Sequence, residues 1–306
     1  MIFVNGNKVE KDYFSNTEVR IKEFEIENWY NYVVLQYETE NKEYKINDDL
    51  MILYFIKKQI DIYFRQEGRE KAYVSLILKT MPYQRMDHKS GKYIHTLPFV
   101  ADFIKSLNFE EIHVIEPHSS ETKRYLGENA KMYYPVVSML NNVIDNDLAE
   151  ISGNVHIVFP DAGAYERYNE SLDGKYDVCV FEKKREYDTN SIVSHEISKG
   201  HISRGSTCFI LDDICSSGQT LLDVAYYAKM AGAKKIYIIT AHCEALAFKS
   251  GLLNKNGPVT HMFTTSSMIS CEHPKITYLG SKGFYKNNDI GSDNVIRCLD
   301  GEILSF

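Results

Sequence analysis

The chain is short of the features that would place it outside the cytosol or on a nucleic acid. Its 306 residues include six cysteines, at 179, 208, 215, 243, 271 and 298, with no C-x-x-C pair, so neither a structural zinc site nor a disulfide framework is indicated. Several of these cysteines sit inside apolar runs, where Cys packs as a small hydrophobe. Positive charge is not in excess: 35 basic against 42 acidic residues leave a net charge of −7. Such a balance gives no broad footprint for nucleic acid or an anionic membrane, so any phosphate recognition must be local. No apolar run approaches a membrane span, and the opening M-I-F-V-N-G-N-K has no basic lead followed by an apolar segment. A cytoplasmic globular protein is expected, long enough for two domains with sizeable cores.

What the chain does have is a stretch from Thr207 to Thr220, T-C-F-I-L-D-D-I-C-S-S-G-Q-T, followed by L-L-D-V-A-Y-Y-A-K-M-A-G-A. The apolar run Cys208–Leu211 reads as a buried strand that stops at Asp212 and Asp213, then a small polar loop, then an amphipathic helix. Backbone N–H groups of Ser217, Gly218, Gln219 and Thr220 at that helix N-terminus would favour an anion. Two carboxylates beside an anion nest suit a ligand with both hydroxyls and a phosphate, such as ribose 5-phosphate.

Other loops follow apolar strands in the same way. Residues 72–78 are β-rich and run into K-T-M-P-Y-Q-R-M-D-H-K-S-G-K, a polar and mostly basic loop; residues 112–115 run into E-P-H-S-S, where His118 could cap the loop or work in it. Val155–Phe159 leads to P-D-A-G-A and Asp161, and Val178–Phe181 to E-K-K-R-E-Y-D-T-N-S, which is too long for a tight turn and reads as a mobile loop, a solvated face or a functional one. Near the start, F-S-N-T-E at 14–18 lies in an exposed polar segment. The run from Asn47 to Phe64 reads as a long helix, with Leu50, Leu53, Tyr54, Ile56, Ile60, Ile62 and Phe64 facing a core.

Strands and helices alternate through both halves, and A-D-F-I-K-S-L-N-F-E-E-I-H-V-I is weakly repeated as A-Y-Y-A-K-M-A-G-A-K-K-I-Y-I-I. Parallel sheets covered by helices are expected, as two tandem α/β domains over residues 1–147 and 148–306.

These loops, in this order, resemble the ribose-phosphate pyrophosphokinase family, the synthetases of phosphoribosyl pyrophosphate. F-S-N-T-E resembles the family's adenine-binding F-S-N-x-E, which implies Phe14, Asn16 and Glu18 for ATP. N-D-D-L-M at 47–51 is similar to N-D-N-L-M. P-Y-Q-R-M-D-H-K at 82–89 resembles P-Y-A-R-Q-D-[KR]-K, which implies Arg85, Asp87 and His88 on the ATP side. E-P-H-S-S resembles D-L-H-[AS] and F-P-D-A-G-A resembles S-P-D-x-G-G, which implies that His118 and Asp161 stand at the magnesium of ATP. E-K-K-R at 182–185 is similar to the catalytic K-x-R, implying Lys183 and Arg185 as catalytic cations. L-D-D-I-C-S-S-G-Q-T resembles V-D-D-[IM]-x-D-T-x-G-T, implying ribose-phosphate binding by Asp212, Asp213, Ser216, Ser217, Gly218, Gln219 and Thr220.

The resemblance implies two tandem phosphoribosyltransferase-like domains, the first serving ATP and the second ribose phosphate. The implied reaction transfers the diphosphoryl group of Mg2+-bound ATP to the anomeric hydroxyl of ribose 5-phosphate. It also implies a homo-oligomer, at least a dimer, since the family's F-S-N-x-E loop reaches a neighbouring subunit, with no nucleic-acid or membrane partner. Departures stand beside it: Met86 where the family has Gln, Ser216 where the loop has Asp, Gln219 where it has Gly, and A-H-C-E-A at 241–245 for T-H-G-x-[FL]-S. They leave room for a ribose whose 5-phosphate carries a further group, such as ADP-ribose, as the acceptor. A non-catalytic regulatory paralogue should lack Lys183 and Arg185, and a phosphoribosyltransferase needs neither 14–18 nor 82–89.

Overall fold

The computed structural model describes residues 1–28, 30–69, 73–89, 91–146, 148–185 and 192–279, with the side chains of residues 183–185 and 192–195 outside that description. By its internal contacts the chain divides into Met1–Tyr134 and Pro135–Phe306. The division precedes the expected boundary at 147/148 because the helix Val136–Asp145 buries Val136, Met139, Leu140 and Val143 in the core of the second unit.

In the first unit, β1 (Ile2–Val4) and β2 (Asn7–Lys8) are followed by a separate hairpin of β3 (Lys11–Tyr13) and β4 (Val19–Ile21). Then come β5 (Tyr30–Leu35), α1 (Ile46–Gln66), β6 (Tyr73–Leu78), α2 (Leu97–Ser106), β7 (Glu111–Ile115), α3 (Glu121–Leu126) and β8 (Ala130–Tyr133). The six-stranded sheet has the order β2-β1-β5-β6-β7-β8, parallel from β5 to β8, with β1 antiparallel to β5. Helix α1 carries Asp48 and Asp49 in its first turn, as suits its dipole, and packs Leu50, Ile52, Leu53, Ile56, Ile60 and Phe64 into the core. Tyr54 and Ile62, expected in that core, are 38% and 43% exposed. With Ile56 and Ile60 fixing the buried stripe, these two positions fall on the far side of the helix.

The second unit runs α4 (Val136–Asp145), β9 (Val155–Phe159), α5 (Ala162–Tyr168), β10 (Asp177–Arg185), β11 (Ile192–Lys199), β12 (Thr207–Cys215), α6 (Gln219–Met230), β13 (Lys235–Cys243), β14 (His261–Thr264) and β15 (Ile276–Tyr278). Its seven strands lie in the order β11-β10-β9-β12-β13-β14-β15, all parallel except β11. The apolar runs of β12 and β13 are buried on both faces. Cys208, Ile210, Ile236 and Ile238 pack with α6, while Phe209, Leu211, Tyr237 and Ile239 pack with α4. Both units are therefore mainly parallel sheets flanked by helices, as the alternating pattern implies.

Two strand ends lie further along than the sequence pattern suggests. β12 does not stop at Leu211 but continues through Asp212 and Asp213 to Cys215, because β13 pairs with it up to Cys243. The charged stretch 182–191, expected as a loop, starts as strand: Lys183 pairs with His195 and Arg185 with Ile192 across β10 and β11. Residues 186–191 and the C-terminal segment 280–306, with Cys298, lie outside the described residues.

Candidate functional site

Strand order alone singles out one place in the second sheet. From β9 the chain continues to β10 on one side, and from β12 to β13 on the other, so the order reverses between β9 and β12. Open α/β sheets bind ligands outside the strand carboxyl ends at such a switch point. The register opens the crevice further. β12 pairs with β9 only over Thr207–Ile210, so Leu211–Cys215 keep β13 alone as a sheet neighbour.

Three carboxylates meet there. Asp161, just past the end of β9, caps α5 by accepting the Ala164 N–H at 3.0 Å. Asp212 and Asp213 come from the free stretch of β12, where the Asp213 N–H donates to Asp212 Oδ1 at 2.9 Å. Burial pushes the Asp212 carboxyl well above the ordinary carboxylate range, and the charges of Asp213 and Asp161 push it the same way. Arg167, in the last turn of α5, reaches back to Asp213 with Nη1 at 2.9 Å from Oδ1. Both side chains are largely buried, and removing one member of such a pair costs about 3–5 kcal/mol.

Beyond β12 the chain turns through Ser216, Ser217 and Gly218 into α6. Gly218 adopts φ 76° as the N-cap residue, where a Cβ would also stand 2.8 Å from the Leu252 side chain. Gly218 offers no capping side chain, and Ser217 Oγ accepts the Gln219 N–H only at 3.4 Å, which leaves the N-terminal dipole of α6 largely available to an outside anion. The flanking side chains are engaged by acids: the Ser216 hydroxyl donates to Glu244 Oε2 at 2.7 Å, and Gln219 Nε2 to Asp223 Oδ1 at 2.7 Å. The sequence-derived set Asp212, Asp213 and 216–220 is thus brought together. Arg167 and Glu244 join it unannounced. Arg167 is foreshadowed only by lying six residues after Asp161 on a short helix, and Glu244 by following an apolar strand.

In the first unit, β6 and β7 are neighbours, with Leu78 opposite Val114, so the loops after them are adjacent. Gln84 joins them: its Oε1 accepts the His118 N–H at 3.1 Å, and its side chain is buried. Tyr83, just before it, takes φ 60°, a costly backbone state for a bulky residue. Asp87 lies 2.6 Å from the adjacent His88 ring. Burial raises the Asp87 carboxyl, but Ser119, His88 and His118 outweigh burial and hold it below its usual range. Arg85 and His88 are exposed. The structure therefore gathers Asp87, His88 and His118, with Arg85 on the same loop. Under these loops, Lys79 Nζ donates to Gln36 Oε1 at 3.0 Å, and burial lowers the Lys79 ammonium to about 7.

Phe14, Asn16 and Glu18 form the tip of the β3–β4 hairpin. Phe14 N–H donates to Glu18 O at 2.9 Å, Asn16 Oδ1 accepts the Glu18 N–H at 3.2 Å, and Arg20 lies 4.7 Å from the centre of the half-exposed Phe14 ring. These bonds stay inside the hairpin. Lys183 and Arg185 stand at the far end of β10, with side chains outside the description. Among the described residues, no group of three or more His, Cys, Asp or Glu is arranged to hold a metal ion.

Comparison with known proteins agrees with this geometry. The family model "Phosphoribosyl transferase domain" matches residues 126–273. A ribose-phosphate pyrophosphokinase of Sulfurisphaera tokodaii is 27% identical over 177 residues, covering 55% of this chain and 57% of that one. One of Thermococcus kodakarensis is 30% identical over 183 residues, covering 58% and 60%. The chain thus spans less than two thirds of the length of these curated relatives. The crystal structure of phosphoribosylpyrophosphate synthetase from Mycobacterium smegmatis matches with a TM-score of 0.70 at 20% identity, covering 89% of this chain and 85% of that one. At that identity the match speaks to the fold, which is of the phosphoribosyltransferase type.

Proposed function

We propose that this divergent relative of the ribose-phosphate pyrophosphokinases transfers a diphosphoryl group from ATP to the anomeric hydroxyl of ribose 5-phosphate. The anomeric oxygen attacks the β-phosphorus of ATP, the bond from that phosphorus to the α,β-bridging oxygen breaks, and AMP leaves with that oxygen. The hydroxyl proton passes to solvent or a nearby base, and phosphoribosyl pyrophosphate is formed. The observation that carries this proposal is the acidic crevice of Asp161, Asp212 and Asp213 beside the glycine-led N-terminus of α6, at the switch point of a parallel sheet. Carboxylates accept from a sugar diol while backbone N–H groups donate to its phosphate, so one ligand satisfies both.

The residues divide by chemistry. Asp212 and Asp213 hold the ribose hydroxyls, and Ser216, Ser217, Gly218, Gln219 and Thr220 hold the 5-phosphate. Phe14, Asn16, Glu18, Arg85, Asp87 and His88 bind ATP. Lys183 and Arg185 neutralise the charge that develops on the transferred phosphoryl oxygens, each worth a few kcal/mol, that is about 2–4 kcal/mol. Mg2+ supplies further charge neutralisation when bound with ATP. Asp161 in the second unit would offer an oxygen donor of the kind such an ion takes, and His118 is the residue of the first unit assigned to the same ion. A homo-oligomer and a cytoplasmic location belong to the same proposal.

A second acceptor is supported by the bonds from Ser216 to Glu244 and from Gln219 to Asp223, which turn two loop donors toward carboxylates. A ribose whose 5-phosphate is esterified, such as ADP-ribose, places less charge there than a phosphate monoester. Incubation with Mg-ATP and either sugar separates the two. AMP release with ribose 5-phosphate supports the first, release with ADP-ribose alone supports the second, and release with neither refutes both.

A further inference from the structure

We infer that Arg167 is a positioning residue for the sugar acceptor, acting through Asp213; the inference rests on the functional assignment above. The contact is an ion pair of 2.9 Å between Arg167 Nη1 and Asp213 Oδ1, made where Arg167 is 14% and Asp213 3% exposed. Water has little access to either group, so the pairing is screened far less than a surface ion pair.

Three features make the pair more than a strut. Asp213 stands in a concentration of negative charge, next to Asp212 in sequence and with Asp161 near enough to perturb Asp212. Arg167 brings a positive charge to this group by pairing with Asp213. The stretch of β12 that carries Asp213 has lost β9 as a neighbour, so the ladder holds it from one side only. A side-chain tether from the opposite wall of the crevice fixes the carboxylate where the backbone does not. Finally, the tether comes from α5, the helix whose first turn is capped by Asp161. One seven-residue helix thus places Asp161 by its start and Asp213 by its end.

A carboxylate receiving two vicinal hydroxyls needs a fixed rotation about its Cβ–Cγ bond. The Arg167 guanidinium, 2.9 Å from Oδ1, biases that rotation by its charge. Its guanidinium lies 5.5 Å from the centre of the buried Tyr168 ring, which limits its own freedom. Lysine retains the charge but not the planar fork, so it can replace the guanidinium only in part.

The experiment is steady-state kinetics on the full-length chain, measuring AMP release with Mg-ATP and whichever of ribose 5-phosphate or ADP-ribose the unmodified protein uses. The proteins are unmodified, Arg167→Met, Arg167→Lys, Asp213→Asn and the double variant, each checked for folding by thermal melting. Arg167→Met should raise the acceptor KM about 10- to 100-fold and leave the ATP KM within about twofold, with Arg167→Lys between it and the unmodified protein. In the Asp213→Asn background the Arg167→Met change should add less than about threefold, because its target is gone. Should Arg167→Met fail to fold, Arg167→Lys carries the test by the same selective rise in acceptor KM. An acceptor KM unchanged in Arg167→Lys and Arg167→Met, a rise shared equally by ATP, or effects that multiply fully in the double variant overturns the inference and leaves the functional assignment standing. No AMP release by the unmodified protein with either sugar overturns the assignment and the inference with it.

Discussion

Ser216 donates its hydroxyl to the Glu244 carboxylate at 2.7 Å, joining the loop after β12 to the residue after β13. The Glu244 N–H in turn donates to Cys215 O at 2.8 Å, so the two strand ends are locked side by side and the carboxylate is held at the mouth of the 216–220 loop. A negative charge so placed opposes a dianionic phosphate.

Glu244→Gln keeps the hydrogen-bonding shape and removes the charge. It should lower the KM for ribose 5-phosphate about 2- to 10-fold, equivalent to roughly 1 kcal/mol at partial exposure. Initial rates at varied sugar and saturating ATP test this. An unchanged or raised KM would mean that the sugar phosphate does not approach Glu244.

Lys183 is expected to act on the transition state alone. Lys183→Ala should reduce kcat about 100- to 1000-fold with the ATP KM within a few-fold of the unmodified protein. Retained turnover would remove Lys183 from the chemistry.

Gln84 ties the loop bearing Arg85, Asp87 and His88 to the backbone of His118. Gln84→Leu leaves that N–H without its acceptor, so urea unfolding should show a loss of about 1–2 kcal/mol. The KM for ATP should rise while the KM for the sugar holds. A rise in both would show that the loop is not specific to the nucleotide.

Acid should weaken the fold through His113. The ring is fully buried, 2.8 Å from Tyr133 Oη and 3.2 Å from Glu111, and burial lowers it from 6.5 to about 4. Between these values the unfolded chain binds a proton that the folded chain refuses. The stabilising contribution is therefore complete above pH 6.5 and is lost progressively as the pH falls toward 4. Urea midpoints across that window should fall with pH in the unmodified protein and more shallowly in His113→Asn. Parallel curves would place the acid sensitivity elsewhere.

Much of this was legible in the residues because buried parallel strands write themselves as continuous apolar runs. Cys208–Leu211 and Ile236–Thr240 could be read directly, and so could the loops that follow them. The true strand ends could not. Asp212 and Asp213 look like a terminus, yet β13 pairs past them, and a charged two-sided hairpin at Lys183–Arg185 carries no apolar alternation to announce a strand. Nor does periodicity fix the roll of a helix as rich in apolar residues as α1, where Tyr54 and Ile62 face outward. The pairing of Arg167 with Asp213, and that of Ser216 with Glu244, depends on which strands become neighbours. A single sequence contains no local trace of that choice.

The proposed reaction moves a diphosphoryl group rather than a single phosphoryl group. ATP labelled with 32P at the β-phosphorus distinguishes the two when the products formed with Mg2+ and ribose 5-phosphate, or ADP-ribose, are separated. The label should appear on the sugar together with an equal amount of unlabelled AMP. Label retained in ADP, or AMP formed with label only in free pyrophosphate, would contradict the account.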